Sequence, residues 1–281
     1  MERGYARQAV ESSSGRNDRP ANEARVRKLA LPQMLTPRLR PPSNRLLESL
    51  PRRVSQKFIA QCEVVDLKLG EVLHEAQARI RYVYFPTDSF ISLTTPANGS
   101  AILEVAMVGN EGMLGLPLAS GVNVSTLRAL VQGAGPAWRM GAAEFSREFA
   151  ASVPLQSTLQ RYVQVRIGQL AQSAACTRFH VIEQRLARWL LMTQDRAHEN
   201  EFEVTHEFLA SMLGVRRVGI TKAAGALQDR GLIHYHRGTV TILDRSGMEA
   251  ASCTCYETDQ VIYERLFASH RTDRHIPIRI L

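Results

Sequence analysis

Thr205–Ile233 reads THEFLASMLGVRRVGITKAAGALQDRGLI, and this stretch decides how the rest of the chain is understood. Thr205 has the chemistry of an N-cap, its hydroxyl able to accept from an amide two or three residues on. Glu207 puts negative charge in the first turn, where the helix dipole favours it. Phe208, Leu209, Met212 and Leu213 give a short helix one apolar side, and Gly214-Val215 breaks it. In a second helix Ile220, Ala223, Ala224 and Leu227 recur at helical spacing. Val218, Lys222 and Gly225 then lie opposite that stripe, with Arg217 and Thr221 on its flank. Gly231 stops the helix, because glycine tolerates the left-handed conformation just beyond a C-terminus.

Two short helices joined by a glycine turn form a helix-turn-helix, whose second helix can enter a DNA major groove N-terminus first. Arg217 and Lys222 are long enough to reach guanine O6 and N7, while Thr205 and Thr221 suit phosphate oxygens. His206, Arg216 and Val218 complete the candidate DNA-facing set. Gly219, Gly225 and Ala226 are small enough for close backbone approach. Downstream, Ile233-His-Tyr-His-Arg-Gly-Thr-Val-Thr-Ile242 alternates apolar and polar residues around Arg237-Gly238, the pattern of a two-stranded hairpin. Helix, turn, helix, hairpin is a winged helix-turn-helix.

The segment LASMLGVRRVGITKAAGALQDRGLI resembles the DNA-reading segment of the Crp/Fnr superfamily of bacterial transcription regulators, and the likeness runs from about Leu46 to Phe267. It places Arg217 and Lys222 where that family's base-contacting basic residues lie. Val218 stands where well-known members carry a Glu that reads cytosine; a valine there can instead touch a thymine methyl group. The resemblance implies an α+β chain: an N-terminal antiparallel β-roll (jelly-roll) sensor domain, a long dimerisation helix and a C-terminal winged helix-turn-helix. The partners it implies are double-stranded DNA with a two-fold-symmetric site, a second copy of the chain, and RNA polymerase.

Upstream, residues 65–76, 82–95 and 101–119 are short segments rich in Val, Ile, Leu and aromatics. Gly70, Pro86-Thr-Asp, Asn98-Gly99 and Gly109-Asn110 punctuate them at the spacing of a compact antiparallel barrel. Val131–Met140 reads as a closing strand. This resembles the family's cyclic-nucleotide-binding domain, in which phosphate sits over a Gly-Glu-hydrophobic-Gly/Ala-Leu turn. Here the turn is Gly112-Met113-Leu114-Gly115-Leu116, and Met113 cannot accept a ribose hydroxyl as the family's Glu does. The nearby basic candidate, Arg128, lies further downstream than the family spacing. The expectation is a regulator that does not respond to cyclic AMP and whose effector is another ligand or none, with no bound cofactor. A cyclic-nucleotide-dependent regulator and a non-DNA-binding adaptor are the alternatives.

From about Ser152 to Gln194 the pattern is helical. Leu155, Leu159, Val163, Ile167, Leu170 and Ala174 form a stripe that needs a partner. The resemblance implies that such a helix packs against its twin, so Leu159, Val163, Ile167, Leu170 and Ala174 are the expected dimer residues. Glu183–Leu191 looks like the first helix of the DNA-binding domain, with Gln194–Asn200 its exit loop. Ser246-Gly-Met-Glu249 has the form of a capping box before a C-terminal helix. The expected domains are a disordered basic arm (1–42), the sensor (43–150), the dimerisation helix (151–180), the winged helix-turn-helix (181–245), and a C-terminal helix and tail (246–281).

The chain's net charge of +8 suits a polyanionic partner. The first 42 residues carry nine Lys/Arg against four Asp/Glu, which fits a DNA-touching arm, an inert tail or an unused upstream start alike. No apolar run reaches membrane-spanning length, and four cysteines in 281 residues fit a reducing cytoplasm rather than a disulfide framework. Cys253-x-Cys255 with His234-x-His236 lacks the usual zinc spacing, and two cysteines two apart on one helix diverge, so no metal site is expected. The arm has no cysteine for the iron–sulfur cluster of the family's oxygen-sensing branch. No Ser/His/Asp set, phosphate loop or HExxH is present, so no enzyme activity is expected.

Overall fold

The computed structural model describes residues 43–96 and 102–267. The basic arm, the Asn98-Gly99 turn and the terminal tail lie outside these residues.

Two antiparallel sheets build the N-terminal half. One has the order β1 (Glu63–Leu67), β7 (Gly135–Gly141), β3 (Tyr82–Pro86). The other has the order β2 (Val72–His74), β6 (Arg128–Gly133), β4 (Phe90–Pro96), β5 (Ile102–Val108). Alternation along β3 splits its side chains between two apolar layers. Tyr84 joins Ile91, Val108, Leu114, Ala129 and Val131 in one cluster. Val83 and Phe85 instead meet Phe58, Met113, Met140 and Phe145, with helices α2 (Arg52–Ile59) and α3 (Ala142–Ala151) covering that side. The single closing strand expected over Val131–Met140 is two strands in different sheets. The crossing needs glycine: Gly135 sits at φ +145°, and a Cβ there would lie 2.9 Å from the Asp88 carbonyl oxygen.

Helix α4 (Val153–Phe179) starts on a Ser152 cap whose hydroxyl accepts from the Leu155 amide at 3.4 Å. Its stripe is divided. Leu155 and Leu159 are buried with Tyr162 and Val165 in the chain's own core. Leu159 is therefore not a dimer-facing residue. Val163 is half-buried, and Ile167, Leu170 and Ala174 are exposed as a separate face. A third face receives α9 (Cys255–Phe267), closely enough that a Cβ on Gly168 would stand 3.2 Å from Ile262 Cδ1.

His180 and Val181 are extended, and α5 (Ile182–Ala197) follows. It runs through the expected exit loop to Ala197, where His198 turns left-handed at φ +55°. Arg196 explains the extra turn, reaching Glu111 of the sensor at 2.6 Å with both side chains largely buried. Helices α6 (His206–Leu213) and α7 (Arg217–Asp229) pack on α5 through Leu186, Leu190, Leu209, Met212, Ile220 and Leu227. Burying each such side chain stabilises the unit by roughly 1.5–3 kcal/mol. The wing has one strand more than expected: β8 (Glu201–Glu203) pairs with β10 (Thr239–Ile242), which pairs with β9 (Ile233–His236).

Helix α8 (Arg245–Ala251) is capped by Asp244, whose carboxylate accepts from the Gly247 amide at 2.9 Å. The expected Ser246/Glu249 capping box does not form, and Glu249 instead pairs with Arg245 at 2.9 Å. The expected continuous C-terminal helix is broken at residues 252–254, between α8 and α9. Among the described residues no helix is long and apolar enough to cross a membrane.

Candidate nucleic-acid interface

Thr205 caps α6, its hydroxyl accepting from the Phe208 amide at 3.1 Å. Such a cap contributes about 1 kcal/mol. Gly214 at φ +62° reverses the chain, and α7 begins immediately after Arg216. Arg216 occupies the N-cap position of α7 without a side-chain hydrogen bond. The first-turn amides of α7 therefore lack a side-chain acceptor, the condition in which a helix N-terminus best receives a phosphate.

The faces of α7 are cleanly separated. Ile220, Ala223, Ala224 and Leu227 are buried, while Arg216, Arg217, Val218, Thr221 and Lys222 are exposed, Val218 at 59 %. Gly225 has open space around it, as expected of an approach surface. Gly219 does not: a Cβ there would come within 2.7 Å of Ile182 Cδ1. Its smallness serves the packing of α7 on α5, not approach to a partner.

His206 and Thr221 act together. The His206 ring stacks on Tyr235 with centroids 4.3 Å apart, and its Nδ1 lies 3.1 Å from Thr221 Oγ1. The Thr221 hydroxyl also donates to the Arg217 carbonyl at 3.2 Å. Burial, then the charge of Arg217, holds the His206 pKa below its ordinary value, so the ring is a neutral brace joining α6, α7 and the wing. Tyr235 extends the brace: its amide donates to Gln228 Oε1 at 2.8 Å and its hydroxyl to the Val204 carbonyl at 3.0 Å. The wing turns at Arg237 (φ +48°) and Gly238 (φ +89°), both left-handed as a two-residue hairpin requires. His234 and His236 stack on one another beside that turn, 6.2 Å between centroids. The exposed cations of α7 and Arg237 at the wing tip are thus carried on a rigid unit.

The candidate effector residues are differently placed. Met113 is buried, and its amide donates to the Tyr162 hydroxyl on α4 at 3.3 Å. Gly112 is pressed against that same tyrosine, where a Cβ would lie 1.9 Å from the hydroxyl oxygen. Leu114 bridges to Tyr84, and Gly115 is left-handed at φ +96°. Arg128 is engaged by Glu75 at 3.0 Å. The Gly112–Gly115 turn is packed against α4, so a shift of either moves the other.

The β-sheet half and the helix-turn-helix half meet at residues the sequence did not single out. Glu104 of β5 accepts from Trp189 Nε1 of α5 at 2.8 Å, from Gln132 Nε2 at 3.1 Å, and from the Ser92 hydroxyl. Burial pushes its carboxyl up to about 7, against the opposing pull of those donors and of Arg196. An acidic residue inside the apolar run Ile102-Leu-Glu-Val105 was the one available signal. Beside this contact lies a cavity of about 340 Å³ between β5, α4, α5 and α9, lined in part by Glu111, Arg166, Arg188, Arg196 and Asp259.

The geometric argument against a cysteine cluster fails. Cys253 lies in the break before α9, not on a helix with Cys255, and both meet Cys176 and His180 from the end of α4. The histidine is His180 rather than His234 or His236. Hydrogen bonds from Cys253 and from His180 and Cys255, with the Arg188 charge, hold Cys176 down to about 5 against burial. Cys253 is pushed up, first by its hydrogen bond to Cys176 and then by burial.

Residues 184–251 match the family model of the Crp-like helix-turn-helix domain. Among solved structures, a transcriptional regulator of the Crp/Fnr family from Eubacterium rectale superposes with a TM-score of 0.59 at 18 % identity, covering 73 % of this chain and 96 % of its own. FixK2 from Bradyrhizobium japonicum gives 0.58 at 12 %, covering 68 % and 98 %. The c-di-GMP-responsive global regulator CLP from Xanthomonas campestris gives 0.57 at 14 %, covering 69 % and 100 %. No curated protein sequence matches the chain. The chain has the Crp/Fnr architecture, with antiparallel sheets N-terminal and a Crp-like helix-turn-helix C-terminal.

Proposed function

We propose that this Crp/Fnr-type chain is a homodimeric, sequence-specific DNA-binding transcription regulator. The observation that carries the reading is the exposed basic start of α7, with Arg216, Arg217, Val218 and Lys222 unburied on a helix braced by α6 and the wing. Arg217 and Lys222 read base edges, and Val218 contacts a thymine methyl. Thr205 and the N-terminal end of α7 take backbone phosphates. His206 and Thr221 hold the helix at its docking angle.

The face of α4 formed by half-buried Val163 and exposed Ile167, Leu170 and Ala174 pairs with its twin in a two-fold dimer, which places two copies of α7 on half-sites about 34 Å apart. The regulator does not use cyclic AMP. Supporting this, Met113 is buried where the family carries a ribose-binding Glu, and Arg128 is committed to Glu75. A signal reaching the Gly112–Gly115 turn acts through Tyr162 on α4, and so on the spacing of the two recognition helices. RNA polymerase is the second macromolecular partner.

The test is selection of genomic DNA fragments by the purified protein near physiological salt, with and without cyclic AMP. The reading expects a two-fold-symmetric motif without nucleotide and an affinity that falls steeply with salt. A motif recovered only with nucleotide overturns the effector reading. A chain with no salt-dependent DNA affinity in either arm overturns DNA binding.

A further inference from the structure

The mechanism above makes no use of the four groups gathered where α4 ends. Cys176 lies in the last turn of α4 and His180 is its C-cap, whose amide donates to the Cys176 carbonyl at 3.2 Å and keeps the two residues adjacent. Cys253 comes from the break after α8, and Cys255 opens α9. Their three sulfurs and one imidazole nitrogen all lie within 4.8 Å of one another. The nearest approaches are 3.5 Å between Cys176 and Cys253 Sγ, and 3.4 Å between Cys255 Sγ and His180 Nδ1.

We propose that Cys176, His180, Cys253 and Cys255 bind one Zn²⁺ ion that clasps the two ends of the DNA-binding domain together. Four ligands at Zn–S and Zn–N bond lengths, arranged tetrahedrally, stand about 3.5–3.8 Å from one another. The observed group needs only a slight contraction to reach that shell. Three thiolates and an imidazole are a closed, soft ligand set, which selects zinc among common ions and leaves no position for a substrate. An iron–sulfur cluster would put several iron and sulfide atoms between the ligands and needs a wider gap.

Surroundings agree with ligand status. Cys176, Cys253 and Cys255 are 2 %, 4 % and 0 % exposed and form a small cluster of their own, separate from the aliphatic cores. Gln172, one turn before Cys176, donates from Nε2 to Cys255 Sγ at 2.9 Å, the outer hydrogen bond that a metal-bound thiolate accepts. The bound ion with three thiolates and a neutral imidazole makes a centre of net charge −1, with the guanidinium of Arg188 nearby. A Cys176–Cys253 disulfide would use two of the four groups and leave the convergence of Cys255 and His180 without a purpose.

The ligand pairs bracket the domain. Residues 184–251 lie wholly between His180 and Cys253, so the ion ties together two chain segments separated by the entire helix-turn-helix. The sequence hid this because Cys253-x-Cys255 lacks ordinary zinc spacing and the two pairs are far apart in the chain.

Full-length protein purified without chelator and analysed by inductively coupled plasma mass spectrometry is expected to carry one equivalent of zinc per chain. Refolding with Co²⁺ should give thiolate charge-transfer bands and the ligand-field bands of a tetrahedral site. Cys62→Ser, outside the cluster, should keep both signals, whereas Cys253→Ser and His180→Ala should weaken or lose them. Chelation should lower Tm and open residues 179–182 and 252–254 to protease. Metal-free protein that binds no Co²⁺ with tetrahedral absorption overturns the proposal, and so does a Cys176–Cys253 disulfide found in protein purified under reducing conditions. The wild-type cobalt spectrum decides the matter even where a variant fails to fold, and no readout depends on DNA binding.

Discussion

Ionising Glu104 should loosen the DNA-binding half from the sensor. This carboxyl is enclosed between β5 and α5, in a residue that is only half-buried, faced by the Ser92 hydroxyl, Gln132, Trp189 and the charge of Arg196. Burial, the largest influence, raises it from 4.5 to about 7. Below pH 4 it is protonated both folded and unfolded, and contributes nothing to pH dependence. Between 4.5 and 7 the unfolded chain has lost the proton and the folded chain keeps it, so stability falls as pH rises. Above 7 the penalty is complete, on the order of 3 kcal/mol for a displacement of that size. His74, whose pKa burial lowers, contributes in the opposite sense by losing stability as pH falls. A comparison of wild type with Glu104→Gln cancels it. Urea unfolding at half-unit intervals from pH 5 to 8 should show wild-type stability declining relative to the variant. Trp189 fluorescence should report the same titration locally, because its indole N–H donates to this carboxyl. Parallel stability profiles for the two proteins, with a pH-independent Trp189 signal, would refute the reasoning.

Arg217→Ala should cost specific DNA binding about 1–3 kcal/mol and relax base preference, measured by anisotropy against the selected site; unchanged affinity would mean that α7 does not read bases through this residue. Replacing Ile167 and Leu170 together with Glu should convert the proposed dimer to a monomer in light scattering while leaving Tm nearly unchanged, since both side chains are exposed in the chain. A loss of Tm without a change of mass would place them in an internal packing role. Gly112→Ala should destabilise by about 1–3 kcal/mol, because the new methyl meets the Tyr162 hydroxyl oxygen at 1.9 Å and either α4 or the turn must move. A wild-type Tm for that variant would break the proposed link between the turn and α4.

The recognition unit was legible because its signals are local. A cap at Thr205, a reversal at Gly214, a helical stripe on α7 and the Arg237-Gly238 turn each act within a few residues. What was missed depends on distance. Alternation marks a strand without naming its partner, so the division of 131–140 between two sheets was invisible until Gly135 met Asp88. Leu159 and Ile167 share one periodic stripe, and only the position of the β-roll decides that the first turns inward and the second outward. Asp244 and Ser246 are both cap residues; the chain adopts the earlier one, and Arg245 takes Glu249 from the alternative box. Gly219 reads as an approach residue on an isolated helix, yet Ile182, on a different helix, claims its open side.

These contacts also say which motion the fold makes easy. Within residues 182–251 the helices and wing share one apolar core, which Met107 and Ile102 of β5 join from the N-terminal half, and disturbing it would expose many buried side chains at once. The junction to the N-terminal half is mixed: beside Met107 it rests on Glu104 with Trp189 and on Glu111 with Arg196, next to a cavity of about 340 Å³. Polar contacts around a cavity can be exchanged for water at far smaller cost than an apolar core can be opened. The backbone leaves helical geometry at His180–Val181 and again at residues 252–254, on either side of that unit. A rigid-body movement of the domain about these two breaks would keep the packing within residues 182–251, at the cost of its apolar contact with β5. The thiol–imidazole group sits at both breaks, so the proposed ion restrains the same movement that ionisation of Glu104 favours.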